Sequence, residues 1–379
     1  MAEDPNLTDE PRSVLLGRDL PPDDRALTAV NLGEFEAIAH ERMHPGSFDY
    51  VAGGAWDEIS LAENEAAWLR YRFRPRVLVD VGTIDPGTTL LGGPSAFPVA
   101  VAPMAVHGLA HPLGEIATAR AAAAAGIPFT LSTMSSQSIE DVAGGAPAGR
   151  RWFQLYVQAR SNQSRALVER AAAAGFEAIM LTVDLPILGY RERDRRSGFD
   201  LAVPLGNFAA QDGPSHRPAA SGYDVFEQSS ARTLIWDDLA TIRSWTPLPL
   251  VLKGILTAED AVLAVDHGAD AIVVSNHGAR QLDRVAAPID VLEEIVAAVA
   301  GRTEVWVDGG VRRGIDIAIA LALGAQGVLV GRPILWALAA GGELGVERAL
   351  AILREEFEIA LTLLGARTPA DVTRAHVTR

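Results

Sequence analysis

The sequence contains no cysteine. Disulfides, thiolate zinc sites, iron–sulfur clusters and a thiol nucleophile are therefore excluded. Positive charge is scarce: Lys and Arg together number 33 against 48 Asp and Glu, a formal net charge of −15. A nucleic-acid binder needs a basic face to displace counterions, and a polybasic membrane anchor needs the same surplus. Neither nucleic acid nor a membrane is expected as a partner. No run reaches the roughly 18 apolar residues of a membrane helix. The segment Met1–Glu10 is acidic and polar and does not read as a secretory signal, so the expected compartment is the cytoplasm.

What is present is an ordinary globular composition, 49% hydrophobic and 21% charged residues. A length of 379 residues fits two or three domains at about 150 residues each, or one α/β barrel, which can reach about 250 residues or more. Residues 1–30, with Pro5, Pro11, Pro21, Pro22 and many acids, read as a flexible tail. Structure is expected from Asn31, with a helix through Phe35, Ile38 and Ala39 that ends near Gly46.

Short apolar runs then recur: Val99–Ala105, Phe129–Thr133, Trp152–Val157, Ile179–Asp184, Leu250–Gly254, Ala271–Ser275, Glu304–Asp308 and Val328–Gly331. Ala-rich or amphipathic stretches separate most of them, such as Glu115–Ala125, Ser164–Ala174, Ala258–His267 and Ile315–Leu323. Several end at a glycine suited to a helix C-terminus, namely Gly126, Gly175, Gly268 and Gly324. Strand runs buried on both faces and alternating with helices predict an α/β fold, a (β/α)8 TIM barrel spanning residues 31–379; an open doubly wound sheet is the alternative. The gap from Asp184 to Leu250 exceeds the others. Its Gly- and Pro-rich residues 185–235 read as an insertion loop after strand 4, a lid over the catalytic face or a surface loop.

In such a barrel, chemistry gathers at the C-terminal strand ends. Read in order, these ends supply Pro103, Met104 and Ala105; Ser132 and Met134; Gln154 and Tyr156; Thr182 and Asp184, then Arg191; Lys253; Ser275, Asn276 and His277, then Arg280; Asp308, Gly309, Gly310 and Arg312; Gly331 and Arg332. Any one of these could be a solvated rim residue, but polar groups from nearly every strand converge on one rim. Glycines followed by Arg312 and Arg332 suit a phosphate, or only a tight turn. Arg191 and Arg280 beside His277 suit a carboxylate next to a general base, or pairs with surface acids. Asp184 is either the partner that holds the His277 ring or a helix cap.

The run Ser275–Asn276–His277–Gly278–Ala279–Arg280–Gln281–Leu282–Asp283 resembles the signature of the FMN-dependent 2-hydroxy acid oxidases and dehydrogenases. Phe48–Asp49–Tyr50, Phe73–Arg74–Pro75–Arg76, His111–Pro112–Leu113–Gly114–Glu115, Phe153–Gln154–Leu155–Tyr156, Thr182–Val183–Asp184, Leu252–Lys253–Gly254, Asp308–Gly309–Gly310–Val311–Arg312 and Gly331–Arg332–Pro333 follow in family order. The resemblance runs from about Asn31 to the C-terminus. It implies FMN as cofactor, no metal, a small (S)-2-hydroxy acid as substrate and a 2-oxo acid as product. His277 would be the base and Asp184 its partner. Arg191, Arg280 and Tyr50 would bind the carboxylate, and Tyr156 the hydroxyl. Lys253 would stabilise negative charge on the flavin. Pro103, Met104 and Ala105 would approach its reactive edge, and Ser132, Gln154, Thr182 and Ser275 its polar edge. Asp308, Gly309, Gly310, Arg312, Gly331 and Arg332 would hold ribityl and phosphate.

Two departures refine the reading. Met134 stands where glycolate oxidases carry Trp, which favours a lactate-sized, aliphatic or mandelate-type substrate. Ala105 matches the oxidases, whereas relatives that react poorly with oxygen have Gly there; O2 is the expected acceptor, reduced to H2O2. The family likeness also implies a homo-oligomer, commonly a tetramer. An acceptor-linked dehydrogenase, a decarboxylating monooxygenase, an enzyme tailoring a peptide or carrier-bound substrate, and a non-catalytic flavin-binding barrel stay open as alternatives.

Overall fold

The computed structural model describes residues 16–159, 161–197, 199, 205–208 and 231–379. Eight parallel strands close into a barrel in chain order: β4 (Val99–Met104), β5 (Phe129–Ser132), β6 (Arg151–Leu155), β7 (Ala178–Thr182), β8 (Leu250–Ile255), β9 (Ala271–Val274), β10 (Glu304–Val307) and β11 (Gly327–Val330), with β11 pairing back onto β4. The open-sheet alternative is thereby excluded. Two short pairs flank the barrel. β2 (Thr88–Leu90) and β3 (Gly93–Ser95) form a hairpin, while β1 (Arg72–Phe73) pairs with the C-terminal β12 (Val377–Thr378).

Strand side chains alternate in direction with period two. One parity, including Val101, Leu131, Phe153, Ile179, Leu181, Leu252, Ile272 and Val328, packs into the layer shared with the helices. The other parity fills the barrel with Ala100, Trp152, Met180, Val251, Val273, Trp306 and Leu329, and Leu90 of the hairpin joins it. Trp152 and Trp306 stack at 5.0 Å between ring centroids. The half-buried Glu304 accepts hydrogen bonds from Leu91 N and Trp306 Nε1. The barrel is therefore a packed core below its catalytic mouth.

The N-terminal region departs from expectation. Residues 1–15 lie outside the described residues, but 16–30 do not form a free tail. α1 (Asp24–Thr28) is capped by the Asp23 carboxylate, and Ala26 and Ala29 are fully buried. Asp23 N donates to Ala340 O on the long helix Arg332–Leu364, and Arg42 donates to Pro21 O. Alternating small residues let this segment lie close to the helix; composition alone misread it. The next helix also stops early. α2 (Gly33–Arg42) ends before Gly46, because Pro45 starts α3 (Pro45–Ala52) and Gly46 lies inside it. α4 (Ile59–Ala66) follows and crosses the catalytic end of the barrel.

The insertion 185–235 is described in part. The helix Glu192–Ser197 buries Asp194. Asn207 is buried and donates to Thr133 O at 3.0 Å and Ser135 Oγ at 2.9 Å, so this part of the insertion docks on the end of β5. Residues 209–230, on which the lid expectation mainly falls, lie outside the described residues.

Replacing Trp306 by Ala should open a cavity against Trp152 and cost about 3–5 kcal/mol of stability, measured by chemical denaturation.

Candidate active site

The parity that fills the barrel also delivers the site. Two residues beyond Trp152 comes Gln154, then Tyr156; beyond Met180 come Thr182 and Asp184; beyond Val251, Lys253; beyond Val273, Ser275; beyond Trp306, Asp308; beyond Leu329, Gly331. A single cleft at this end is lined by Tyr50, Pro103, Met104, Ala105, Ser132, Met134, Tyr156, Thr182, Arg191, Lys253, His277, Arg280, Asp308, Gly309, Gly310, Arg312, Gly331 and Arg332. Asp184, Gln154 and Ser275 stand directly behind it, each bonded to a residue in the lining. All the residues singled out from the sequence thus meet in one place. The lining also includes Leu185 and Leu188, which no motif had marked.

Two buried carboxylate contacts organise the cleft, one to an imidazole and one to an ammonium. Asp184 Oδ1 lies 2.9 Å from His277 Nδ1. Asp184 is therefore the ring's partner and not a helix cap. A carboxylate can only accept here, so Nδ1 carries the proton and Nε2 is the basic atom. Tyr156 OH is 3.4 Å from Nε2. Burial pushes the His277 pKa below its usual value, and the Lys253 and Arg191 charges add to this against the opposing pull of Asp184. Burial opposes the Asp184 charge, yet His277 and then Lys253 hold it below the usual carboxylate range. Burial, reinforced by Asp184, keeps the Tyr156 phenol protonated well above its usual range.

The second pair is Lys253 Nζ with Asp308 Oδ2 at 2.9 Å, and Lys253 also donates to Ser275 Oγ at 2.7 Å. Burial disfavours the ammonium, but Asp308 and Asp184 outweigh it and hold Lys253 above its usual pKa. Lys253 is the only lysine in the chain. It sits beside a bulge in the β8–β9 register, and the bulged Gly254 has a φ of +113°. A Cβ at Gly254 would lie 2.6 Å from the Asp184 side chain, so only glycine lets that carboxylate reach His277.

Polar members of the 275–283 run have observed partners. Ser275 Oγ accepts from His277 N at 3.1 Å. Arg280 donates to Gly53 O at 3.1 Å and lies over the Tyr50 ring at 4.7 Å. Arg191 Nε donates to Arg280 O at 3.2 Å, which brings the two guanidinium groups to one wall. Gln281 Nε2 donates to the carbonyls of Asp184 and Ile187. Asp283 accepts from Ile59 N and Ser60 N and anchors the start of α4. Glu115, fully buried, ties two neighbouring loops together by accepting from His107 N at 3.0 Å and Ser136 N at 2.9 Å.

The other end of the cleft gathers arginines and glycines. Arg332 donates to Val51 O at 2.9 Å and Gly53 O at 2.8 Å. Burial and the nearby charges of Arg280 and Arg312 push Arg332 well below its usual pKa, the mark of a cationic cluster that favours an anion. Gly309 and Gly310 have φ values of +86° and +82°, and a side chain at Gly310 would collide with the Asn64 carbonyl. Several buried polar atoms of the site have no protein partner among the described residues: Gln154 Nε2, Thr182 Oγ1, Asp308 Oδ1 and Asp184 Oδ2. A phosphate-bearing ligand with a polar heteroaromatic ring answers both features. Such a cleft suits a phosphorylated cofactor bound beside the His277–Asp184 pair.

The family description FMN-dependent dehydrogenase matches residues 39–379. The chain is 50% identical to an L-lactate oxidase of Nostoc sp., covering 90% of this chain and 96% of the relative. It is 49% identical to a glycolate oxidase of Spinacia oleracea, covering 92% and 95%. A crystal structure of a mandelate oxidase superposes with a TM-score of 0.86 at 45% identity, covering 92% of this chain and 98% of that one. The chain belongs to the FMN-dependent dehydrogenase family, among its 2-hydroxy acid oxidases. It is an enzyme, and its cofactor is FMN. Among the described residues no helix is long and apolar enough to cross a membrane.

Two predictions follow from the His277–Asp184 geometry. Gly254→Ala should displace the Asp184 carboxylate and lower kcat/KM about 100-fold, read by steady-state kinetics with flavin content measured in parallel. A base role for His277, proposed below, needs the neutral ring, whose pKa burial sets below the ordinary value of about 6.5. The kcat/KM profile should therefore be flat above that value and fall as pH drops through the lower, folded-state pKa. Asp184→Asn removes the charge that raises this pKa, so it should move the acid limb to lower pH while reducing kcat.

Proposed function

We propose that the protein oxidises an (S)-2-hydroxy acid with an apolar side chain to the 2-oxo acid and reduces O2 to H2O2. Atoms and electrons balance as R–CH(OH)–COO⁻ plus O2 giving R–CO–COO⁻ plus H2O2. Arg191 and Arg280 bind the substrate carboxylate, with the Tyr50 hydroxyl beside them. Tyr156, protonated throughout, orients the substrate hydroxyl. His277 Nε2 removes a proton from the substrate, and Asp184 stabilises the imidazolium that results. FMN, when bound, would supply the acceptor for the two electrons that leave C2, a task no side chain performs reversibly.

Ser132, Gln154, Thr182 and Ser275 would hold the polar edge of the ring, and Pro103, Met104 and Ala105 would approach its reactive edge. Lys253 would supply fixed positive charge where negative charge develops. Asp308, Gly309, Gly310, Arg312, Gly331 and Arg332 would hold the ribityl and phosphate.

The observation that carries the reading is the 2.9 Å His277–Asp184 pair in a cleft also lined by Arg191 and Arg280. The substrate class rests on an apolar stretch of the same lining. Met134 and Leu185 form an apolar cluster with Ala105, Tyr156, Leu188, Leu205 and Phe208. This wall offers dispersion contact to a methyl, branched or phenyl group and nothing to a bare hydrogen. The O2 assignment rests on Ala105 and on the relatives named as oxidases. A cytoplasmic homotetramer belongs to the same proposal, on family likeness, and light scattering reads the assembly.

The test is a panel of lactate, glycolate, mandelate and longer aliphatic 2-hydroxy acids, scored by anaerobic flavin bleaching and by peroxide yield in air. Lactate-sized or larger acids should exceed glycolate in kcat/KM by at least about tenfold, as one or two buried methylenes allow, with one H2O2 per 2-oxo acid. A one-carbon-shorter acid as product, or bleaching without peroxide, would overturn the oxidase reading. Met134→Trp should fill the apolar wall and lower kcat/KM for the larger acids while sparing glycolate. His277→Ala should retain FMN and lose about 1,000-fold or more in kcat; near-normal turnover would remove the base assignment.

A further inference from the structure

Asn64 lies on α4, outside the barrel, and carries no motif. Its amide is buried and forms a reciprocal pair with Asn276, 212 residues away. Asn64 Nδ2 donates to Asn276 Oδ1 at 2.9 Å, and Asn276 Nδ2 donates to Asn64 Oδ1 at 2.7 Å. Asn276 Oδ1 also accepts from Ala279 N at 3.1 Å. Between them runs a turn in which His277, Gly278 and Ala279 have φ values of +59°, +62° and +61°. The left-handed region disfavours His and Ala, so this turn persists only because its surroundings hold it. Ser275 holds its first backbone N–H, and the Asn276 side chain holds its last. Asn64 in turn fixes the Asn276 side chain.

The same helix face touches the phosphate loop. Trp68, one turn on, donates from Nε1 to Gly309 O at 2.9 Å, and the Asn64 carbonyl abuts Gly310. Both loops are thus registered against one segment, which Asp283 anchors from the catalytic side.

We infer that Asn64 is a positioning residue that holds the His277 turn in its catalytic conformation and registers it against the phosphate loop. The inference rests on the reading of His277 as the base. A merely structural amide pair would, when lost, lower thermal stability and leave the chemistry of the folded enzyme unchanged. A positioning pair acts on kcat, because a displaced base is a misplaced reacting group.

The experiment compares Asn64→Ala, Asn64→Asp, Asn276→Ala, the double Ala variant and His277→Ala as holoenzymes at saturating FMN, with FMN affinity measured by flavin fluorescence. Asn64→Ala should lose about 30- to 100-fold in kcat with KM changed by less than about threefold. The double variant should be no slower than the slower single variant, as for two members of one coupled pair. Asn64→Asp keeps the acceptor for Asn276 Nδ2 and should recover about tenfold of the loss; it supplies the same readouts if the Ala variant does not fold. A kcat within threefold of the parent for the folded variants, with only thermal stability lowered, would overturn the inference, as would additive losses in the double variant. An active His277→Ala would instead remove the base assignment. An inactive His277→Ala beside a fully active Asn64→Ala would sink the positioning role alone.

Discussion

The alternation of side chains along a strand is the constraint on which this molecule rests. In a closed parallel barrel every second residue points inward, with no freedom to choose otherwise. The inward positions are apolar through Trp152, Met180, Val251, Val273, Trp306 and Leu329 and become polar one step later at Gln154, Thr182, Lys253, Ser275 and Asp308. A one-residue slip in β8 would turn Lys253 into the helix layer and Leu252 into the cleft. The stacked tryptophans are therefore both core and floor: they fix the register that delivers the chemistry.

That arrangement buries charge, and buried charge is tolerated only when it is paired. Asp308 faces the Lys253 ammonium at 2.9 Å and Asp184 accepts from the neutral His277 ring at 2.9 Å, and Asp184 helps to hold Lys253 charged while Lys253 helps to depress His277. The two pairs form one electrostatic unit. It keeps an imidazole neutral and basic beside a permanent ammonium. Farther along the cleft the balance is left positive, with Arg332 crowded by Arg280 and Arg312. One end of the site thus carries the His277–Asp184 pair and the other an excess of positive charge, a polarity that suits a phosphorylated cofactor.

Most of this was legible in the sequence because the signals are local. Eight apolar runs with Gly-terminated helices between them announce the barrel, and the residue just past each run lies on its rim. What escaped was contact between distant segments. Asn64 with Asn276, and Asn207 with Thr133 and Ser135, are pairings that no period or spacing records. Leu185 and Leu188 lay in a stretch without periodicity and looked like loop, yet they line the substrate wall. The N-terminal segment was misread for the opposite reason: proline and acid content suggested a tail, whereas Ala26 and Ala29 are small enough to pack against the long helix.

Lys253 has one more implication. Every other strongly basic side chain is a guanidinium, and the single ε-amine is about 5% exposed, locked between Ser275 and Asp308. Reagents and enzymes that target amines, whether for cross-linking, acetylation or attachment of a degradation tag, therefore meet no lysine on the outside of this molecule. Isotope labelling of lysine alone would report a single resonance, and that resonance would come from the heart of the active site.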